Sequence, residues 1–326
     1  MRGGCCLKIV ILDGFTLNPG DLSWEGFEAL GEVTVYQNTE ESDILNRSIE
    51  ADILITNKTP LKKAVLERLP KLKYIGVLAT GYDVVDIEYA RDRKIPVTNV
   101  PGYGSNAVAQ QVFAFILDFA NKIRTHYQSV SMGEWQDRGE FSYFLEPLME
   151  LSDKTIGIIG LGQIGKRVAE IALAFNMKVL AYSRNRKDIF QDSANFKWVD
   201  LEYLYKNSDF ITLHLPLSKE TEEMINYKAI DSMKSSAIII NTARGKLINE
   251  EDLAKALNSS KIAGAALDVL ASEPPSADNP LLKAKNCIIT PHIAWAAREA
   301  RSRLMNIAVN NLNSYIDGDI INCVYE

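Results

Sequence analysis

The stretch KTIGIIGLGQIG at 154–165 constrains the fold of this chain more than any other. Thr155 to Ile159 is short, apolar and partly β-branched, the composition of a strand buried on both faces. Gly160-Leu161-Gly162-Gln163-Ile164-Gly165 follows at once, with the spacing G-x-G-x-x-G. After it, Val168, Ile171, Ala172 and Phe175 recur at helical spacing. Strand, glycine turn and helix in that order form the context in which this spacing binds a dinucleotide. Gly160 permits a sharp turn, Gly162 leaves room for a pyrophosphate against the backbone, and Gly165 lets the helix pack close to the strand. The first helical amides then face the phosphates, and the helix dipole favours their charge.

The rest of the chain alternates strand and helix patterns. Runs at 7–12, 33–36, 52–56, 72–78 and 95–100 read as strands, with helical spacing at 24–30, 44–49, 61–69 and 85–91. Beyond Lys154, strands are expected at 178–182, 210–213, 237–240, 263–267 and 287–290. Such alternation predicts parallel sheets covered by helices on both faces, and 326 residues suffice for about two domains. The loop chemistry of PGYGS at 101–105 marks a crossing between them. A long helix is expected from Asn106 to Arg124, with Val108, Val112, Phe115 and Phe119 as its stripe. Phe113, Ile116 and Leu117 give it a second apolar face, for which a subunit interface is one partner. The aromatic-rich segment 132–148 is expected to cover a neighbouring domain or subunit, and a second long helix is expected over 293–315.

Composition narrows the function. A net charge of -6 offers no basic stripe for nucleic acid. No apolar run approaches the roughly 18 residues that span a bilayer. The start, MRGGCCLKIVILDG, reads as a first strand rather than a signal peptide. Cys5, Cys6, Cys287 and Cys323 form no CxxC and no zinc spacing, so free thiols in a reducing cytosol and no metal are expected.

In open parallel sheets, ligands bind outside the carboxyl ends of the strands. Arg244, Glu273 and His292 each lie at such an end or in the loop that follows. Reduction of a 2-keto acid needs a cation for the carboxylate and carbonyl, and the planar guanidinium of Arg244 suits it. It needs an acid for the developing alkoxide, which His292 supplies. A carboxylate beside that histidine orients the ring, the part given to Glu273. Of the other histidines, His126 reads as solvated surface, and His214 as either a cofactor neighbour or a strand cap.

These residues resemble the D-isomer-specific 2-hydroxyacid dehydrogenases over nearly the whole chain. GLGQIG at 160–165, HLPLSKET at 214–221, NTARG at 241–245, ALDVLASEPP at 266–275 and TPHIAW at 290–295 are similar to family motifs in family order. The resemblance implies two Rossmann-like doubly wound α/β domains with the active site in the cleft between them. A flavodoxin-like substrate domain would take 1–100 plus 294–326, and the dinucleotide-binding domain 101–293. It puts the catalytic triad on Arg244, Glu273 and His292. Cofactor contacts fall on Gly160, Gly162, Gln163, Ile164, Gly165, Ser183, Arg184, Arg186, His214, Pro216, Thr221, Thr242, Ala243 and Asp268, the last at the nicotinamide carboxamide. Substrate contacts fall on Ala79, Thr80 and Gly81, with Arg244. A homodimer is also implied.

Within the family, TNKTPL at 56–61, EWQDRGEFSYF at 134–144 and Trp295 resemble the branch acting on hydroxypyruvate, glycerate and glyoxylate, with Lys58 as a second substrate cation and Trp295 on the cleft wall. One departure concerns the cofactor. NAD-specific members carry an acidic residue at the end of the second strand for the ribose 2′-hydroxyl. Here Ser183 stands there, followed by Arg184, Asn185, Arg186 and Lys187. NADP(H) is therefore favoured, with NAD(H) as the alternative. The rival functions are reduction of another 2-keto acid (phosphoglycerate, lactate or a branched acid) and a non-catalytic dinucleotide sensor resembling the family's co-repressors.

Overall fold

The computed structural model describes residues 6–184, 186, 190 and 193–325. The chain divides into two compact units, Met1–Gly104 with Ala296–Glu326, and Ser105–Trp295.

Unit 1 is built on β1 (Lys8–Ile11), β2 (Glu32–Val35), β3 (Ile53–Thr56), β4 (Tyr74–Val77) and β5 (Val97–Thr98). Their order is β2-β1-β3-β4-β5 and every pair is parallel. Residues of β3 and β4 are buried throughout, as a parallel sheet covered on both faces requires. Leu61, Leu66, Leu69 and Ala90 from the crossover segments cover one face, with Leu54, Ile75 and Val97 beneath them. The helix Arg298–Asp317 buries Leu304, Met305, Ala308 and Leu312. Its Arg301 grips Asp21 with both terminal guanidinium nitrogens, at 2.6 and 2.7 Å.

Unit 2 contains β6 (Thr155–Ile159), β7 (Lys178–Tyr182), β8 (Phe196–Trp198), β9 (Phe210–Leu213), β10 (Ile238–Asn241), β11 (Gly264–Leu267) and β12 (Cys287–Ile289). The order β12-β11-β10-β9-β6-β7-β8 is parallel throughout. Alternation along the strands separates two cores, one on each face. Ile156, Ile158, Ile238, Ile240 and Ala266 join the helix Ser105–Asn121 on one side. Ile211, Leu213, Ile239, Ala265 and Leu267 join Leu253 and Leu257 on the other. Strand order reverses direction between β6 and β9, where a doubly wound sheet opens its ligand crevice.

Several elements differ from the sequence expectation. The helix expected over 293–315 begins at Arg298, because the amides of Ile293 and Ala294 bond to the Asp268 carboxylate instead of starting a helix. The helix expected through Arg124 ends at Asn121; Lys122 turns left-handed at φ 51° and a separate helix runs Ile123–Ser131. Its second face is covered within the same unit, since Phe113 is buried and stacks on Phe175 at 5.5 Å. The short strand β8 had no counterpart in the sequence reading. His126 is not a solvated surface residue. It is half-buried, with Nδ1 2.9 Å from the Lys122 carbonyl and Nε2 accepting from the Leu145 amide at 3.2 Å.

Candidate active site

β10, β11 and β12 end level, with Asn241 beside Leu267 and Leu267 beside Ile289. Arg244, Glu273 and His292 follow these three ends in turn.

Asp268, the first residue after β11, is 1% exposed. Its Oδ1 accepts the Thr290 hydroxyl at 2.6 Å and the Ile293 amide at 2.8 Å, and its Oδ2 the Ala294 amide at 2.8 Å. Its carbonyl accepts the His292 amide at 2.8 Å. The loop after β12 is thus wrapped on one residue. His292 sits inside it at φ 54°, a left-handed conformation that costs a non-glycine residue energy unless its surroundings impose it. Trp295 adds a bond from Nε1 to the His292 carbonyl at 2.9 Å.

The held ring meets Glu273. His292 Nδ1 lies 2.6 Å from Glu273 Oε2, a short hydrogen bond of the kind an ionised partner favours. Glu273 Oε1 accepts the Leu270 amide at 3.1 Å. Nδ1 is therefore occupied, and Nε2 has no partner among the described residues. Arg244 is exposed; its Nη1 donates to the Ala243 carbonyl at 2.8 Å, and no carboxylate pairs with it among the described residues. Asn241 ties this turn down by donating to the Arg244 carbonyl at 2.8 Å and accepting the Ala243 amide at 3.0 Å. Gly245 packs against the turn that carries Glu273: a Cβ there would stand 1.9 Å from the Leu270 carbonyl carbon. The strand ends bring Glu273 and His292 into contact and set the Arg244 turn against the Glu273 turn.

The glycine loop has space where a pyrophosphate would need it. Gly160 turns at φ 98°, and a Cβ on it would meet the His214 carbonyl at 2.5 Å. A Cβ on Gly165 would stand 2.1 Å from the Gly160 carbonyl oxygen. A Cβ on Gly162 would meet nothing within 4 Å, and no side chain caps the helix Gln163–Ala174 that starts there. At neighbouring strand ends, two enclosed polar atoms have no hydrogen-bond partner among the described residues, His214 Nδ1 after β9 and Thr242 Oγ1 after β10. Open backbone, an uncapped helix start and two unanswered polar groups fit a dinucleotide.

The other expected cofactor residues divide. Gln163 is exposed and takes the Ser105 hydroxyl at 3.3 Å, while Ile164 packs on the core. The Thr221 hydroxyl closes its own loop on the Pro216 carbonyl at 2.9 Å. Ser183 follows the end of β7, and Arg184 and Arg186 are exposed, the latter 5.9 Å from the Trp198 ring. Asn185, Lys187 and Cys5 lie outside the described residues. In unit 1, Lys58 is exposed and its ammonium forms no ion pair among the described residues. Thr80 bonds the Val100 carbonyl at 2.9 Å, and the Ala79 carbonyl takes the Val100 amide at 2.9 Å, so this loop is tied to the end of β5; Gly81 follows it half-buried. No group of three or more candidate metal ligands occurs among the described residues.

Sequence reasoning missed two residues. Asp13, 4% exposed after β1, accepts the amides of Asn57 and Thr59, each at 2.8 Å, and that of Lys58, and so fixes the Lys58 loop. Its position at a strand end was a usable signal. Glu250 read only as an acidic residue in a first helical turn, whereas its carboxylate reaches across to the loop of Glu273.

The chain is similar to known proteins over most of its length. The model of the family described as "D-isomer specific 2-hydroxyacid dehydrogenase, NAD binding domain" matches residues 113–294. A hydroxypyruvate reductase of Blautia hydrogenotrophica is 48% identical, over 98% of this chain and 99% of its own. A glycerate dehydrogenase of Methylorubrum extorquens is 40% identical over 97% and 98%. The crystal structure of an Aquifex aeolicus D-lactate dehydrogenase, complexed with NAD and lactic acid, superposes with a TM-score of 0.81 at 30% identity, covering 96% of each chain. The chain belongs to the D-isomer-specific 2-hydroxyacid dehydrogenase family. It is an oxidoreductase that uses a nicotinamide dinucleotide and acts on the CH–OH group of 2-hydroxy acids.

One pH dependence follows from the glycine-loop side. Burial pushes the His214 imidazole from 6.5 down to about 3. The unfolded chain takes up a proton near 6.5 that the folded chain refuses. The neutral form's contribution is complete above that pH and is lost as the pH falls toward 3, by at most about 1.4 kcal/mol per unit. Urea unfolding between pH 7.5 and 5 should show the wild type losing stability relative to His214→Gln. Parallel losses in both proteins would refute the assignment.

Proposed function

We propose that the protein is an NADP(H)-preferring hydroxypyruvate and glyoxylate reductase, producing D-glycerate or glycolate. The observation that carries the proton-transfer part is the 2.6 Å contact between His292 Nδ1 and Glu273. With Nδ1 occupied, Nε2 is the nitrogen that gives its proton to the developing alkoxide, and Glu273 stabilises the charged ring before transfer. Arg244, which pairs with no carboxylate among the described residues, holds the substrate carboxylate and polarises the keto oxygen. A bound nicotinamide supplies the hydride. The glycine loop with Gln163, Ile164, His214, Pro216, Thr221, Thr242, Ala243 and Asp268 is assigned to the cofactor. Lys58, Ala79 to Gly81 and Trp295 are assigned to the substrate on the family resemblance. The substrate choice leans on the hydroxypyruvate and glycerate relatives.

For the cofactor, Arg184 and Arg186 are exposed beyond the end of β7, where a 2′-phosphate would need cations. The assay is absorbance at 340 nm with hydroxypyruvate and NADPH or NADH. A kcat/KM at least about tenfold higher with NADPH, or 1.4 kcal/mol, is expected, and Arg184→Ala with Arg186→Ala should erase the difference. Equal values in the wild type would remove the preference, and no turnover on any 2-keto acid would remove the substrate reading. Glu273→Gln should lower kcat and move the alkaline limb of its pH profile to lower pH; an unmoved limb would take Glu273 out of this role.

A homodimer is also proposed. Ile123, Tyr127, Met132, Phe141 and Phe144 are between 64% and 94% exposed within one segment, and apolar side chains gathered on the surface mark an interaction site. Light scattering should give twice 36.4 kDa, and a Phe141→Asp, Phe144→Asp variant should give the monomer mass. A monomeric wild type would contradict the proposal. The described cysteines Cys6, Cys287 and Cys323 are free thiols, which suits a cytosolic protein. No helix among the described residues is long and apolar enough to cross a membrane.

A further inference from the structure

Residues 271–278, which include Glu273, are all exposed, and buried Leu270 and Leu281 flank them. A catalytic carboxylate on so exposed a loop needs something to fix it. Glu250 reaches both ends. Its Oε1 accepts the Ala271 amide at 2.7 Å, and its Oε2 accepts the Asn279 side-chain amide at 2.8 Å. Asn279 is itself fixed, since its Oδ1 accepts the Leu281 amide at 3.0 Å. Glu250 opens the helix Glu250–Asn258, whose N-cap Asn249 accepts the Asp252 amide at 3.0 Å. The cap is thus supplied by a neighbour, and the Glu250 carboxylate is free for the loop. Consecutive amides of the turn are shared out: Leu270 donates to Glu273 and Ala271 to Glu250.

We infer that Glu250 is a positioning residue for the proton-transfer pair, a brace across residues 271–279 that holds Glu273 against His292. It touches neither substrate nor cofactor, and the inference rests on His292 as proton donor. The donor and acceptor pattern makes it testable by exchange. In E250Q the new amide faces the Asn279 amide, donor against donor, and Asn279 cannot flip without giving up Leu281. In N279D two carboxylates face each other. In E250Q/N279D the glutamine donates to the new aspartate, its oxygen still takes the Ala271 amide, and the aspartate still takes Leu281, so the brace is rebuilt with its roles reversed.

The experiment measures kcat, KM for hydroxypyruvate and the pH profile of kcat for the wild type, both single variants and the double variant. NADPH affinity is followed by fluorescence titration and folding by thermal melts. Each single variant should lose kcat on the order of 10-fold, as small misplacements of reacting groups do. KM and NADPH affinity should stay within about twofold, and the alkaline limb should move to lower pH. The double variant should return kcat and the limb to near wild type. Wild-type kcat in folded E250Q would overturn the inference, as would a loss with an unmoved limb or one the double variant fails to recover. E273Q in the same series separates the two levels. If it too leaves the limb unmoved, the proton-donor reading fails; if it moves the limb and E250Q does not, only the role of Glu250 fails.

Discussion

The hold of the Asp268 carboxylate on residues 290–294 is the interaction on which the site depends. A buried carboxylate is costly unless its lone pairs are answered. Here one hydroxyl and two amides answer them, all from the loop after the neighbouring strand. Those bonds hold the loop in which His292 takes a left-handed backbone, and from that loop its Nδ1 meets Glu273. The same device recurs in unit 1. Asp13 follows β1, is buried, and takes three consecutive amides of the loop after the adjacent β3. In both units a strand end supplies the aspartate, and the next strand's loop supplies the donors and carries a residue assigned to chemistry.

Parallel sheets make this arrangement economical. Strands that run together end together, so loops meet at one edge without long connections. Arg244, Glu273 and His292 are far apart in sequence yet follow three neighbouring strands in register. Tight backbone contacts set the spacing between turns, Gly165 against Gly160 in the glycine loop and Gly245 against Leu270 beside the Glu273 turn. Neither glycine leaves room for a side chain, so two turns assigned to cofactor and substrate chemistry are fixed by the absence of one.

Much of this was legible in the sequence, and the reason is period. Apolar, β-branched runs ending in glycine or polar residues marked most strands, and the strand-end rule selected Arg244, Glu273 and His292 from many charged residues. Family resemblance then supplied roles that spacing alone did not. What escaped depended on partners distant in sequence. Its place at a strand end marks Asp13 but does not name residues 57–59 as its partners, and Glu250 looked like a helix-dipole residue because its partners, Ala271 and Asn279, lie well downstream. His126 looked solvated because its acceptor role faces Leu145. The start of the last long helix was misplaced because tertiary bonds to Asp268 outweighed the local helical pattern.

The most direct test of the central claim is the tautomer of His292. The chain has only three histidines, so nitrogen-15 histidine labelling gives a spectrum that His292→Gln assigns by difference. The account predicts that neutral His292 carries its proton on Nδ1, bonded to Glu273, with Nε2 bare, and that Glu273→Gln disturbs this signal. A His292 protonated on Nε2 with Nδ1 bare, indifferent to Glu273→Gln, would contradict it.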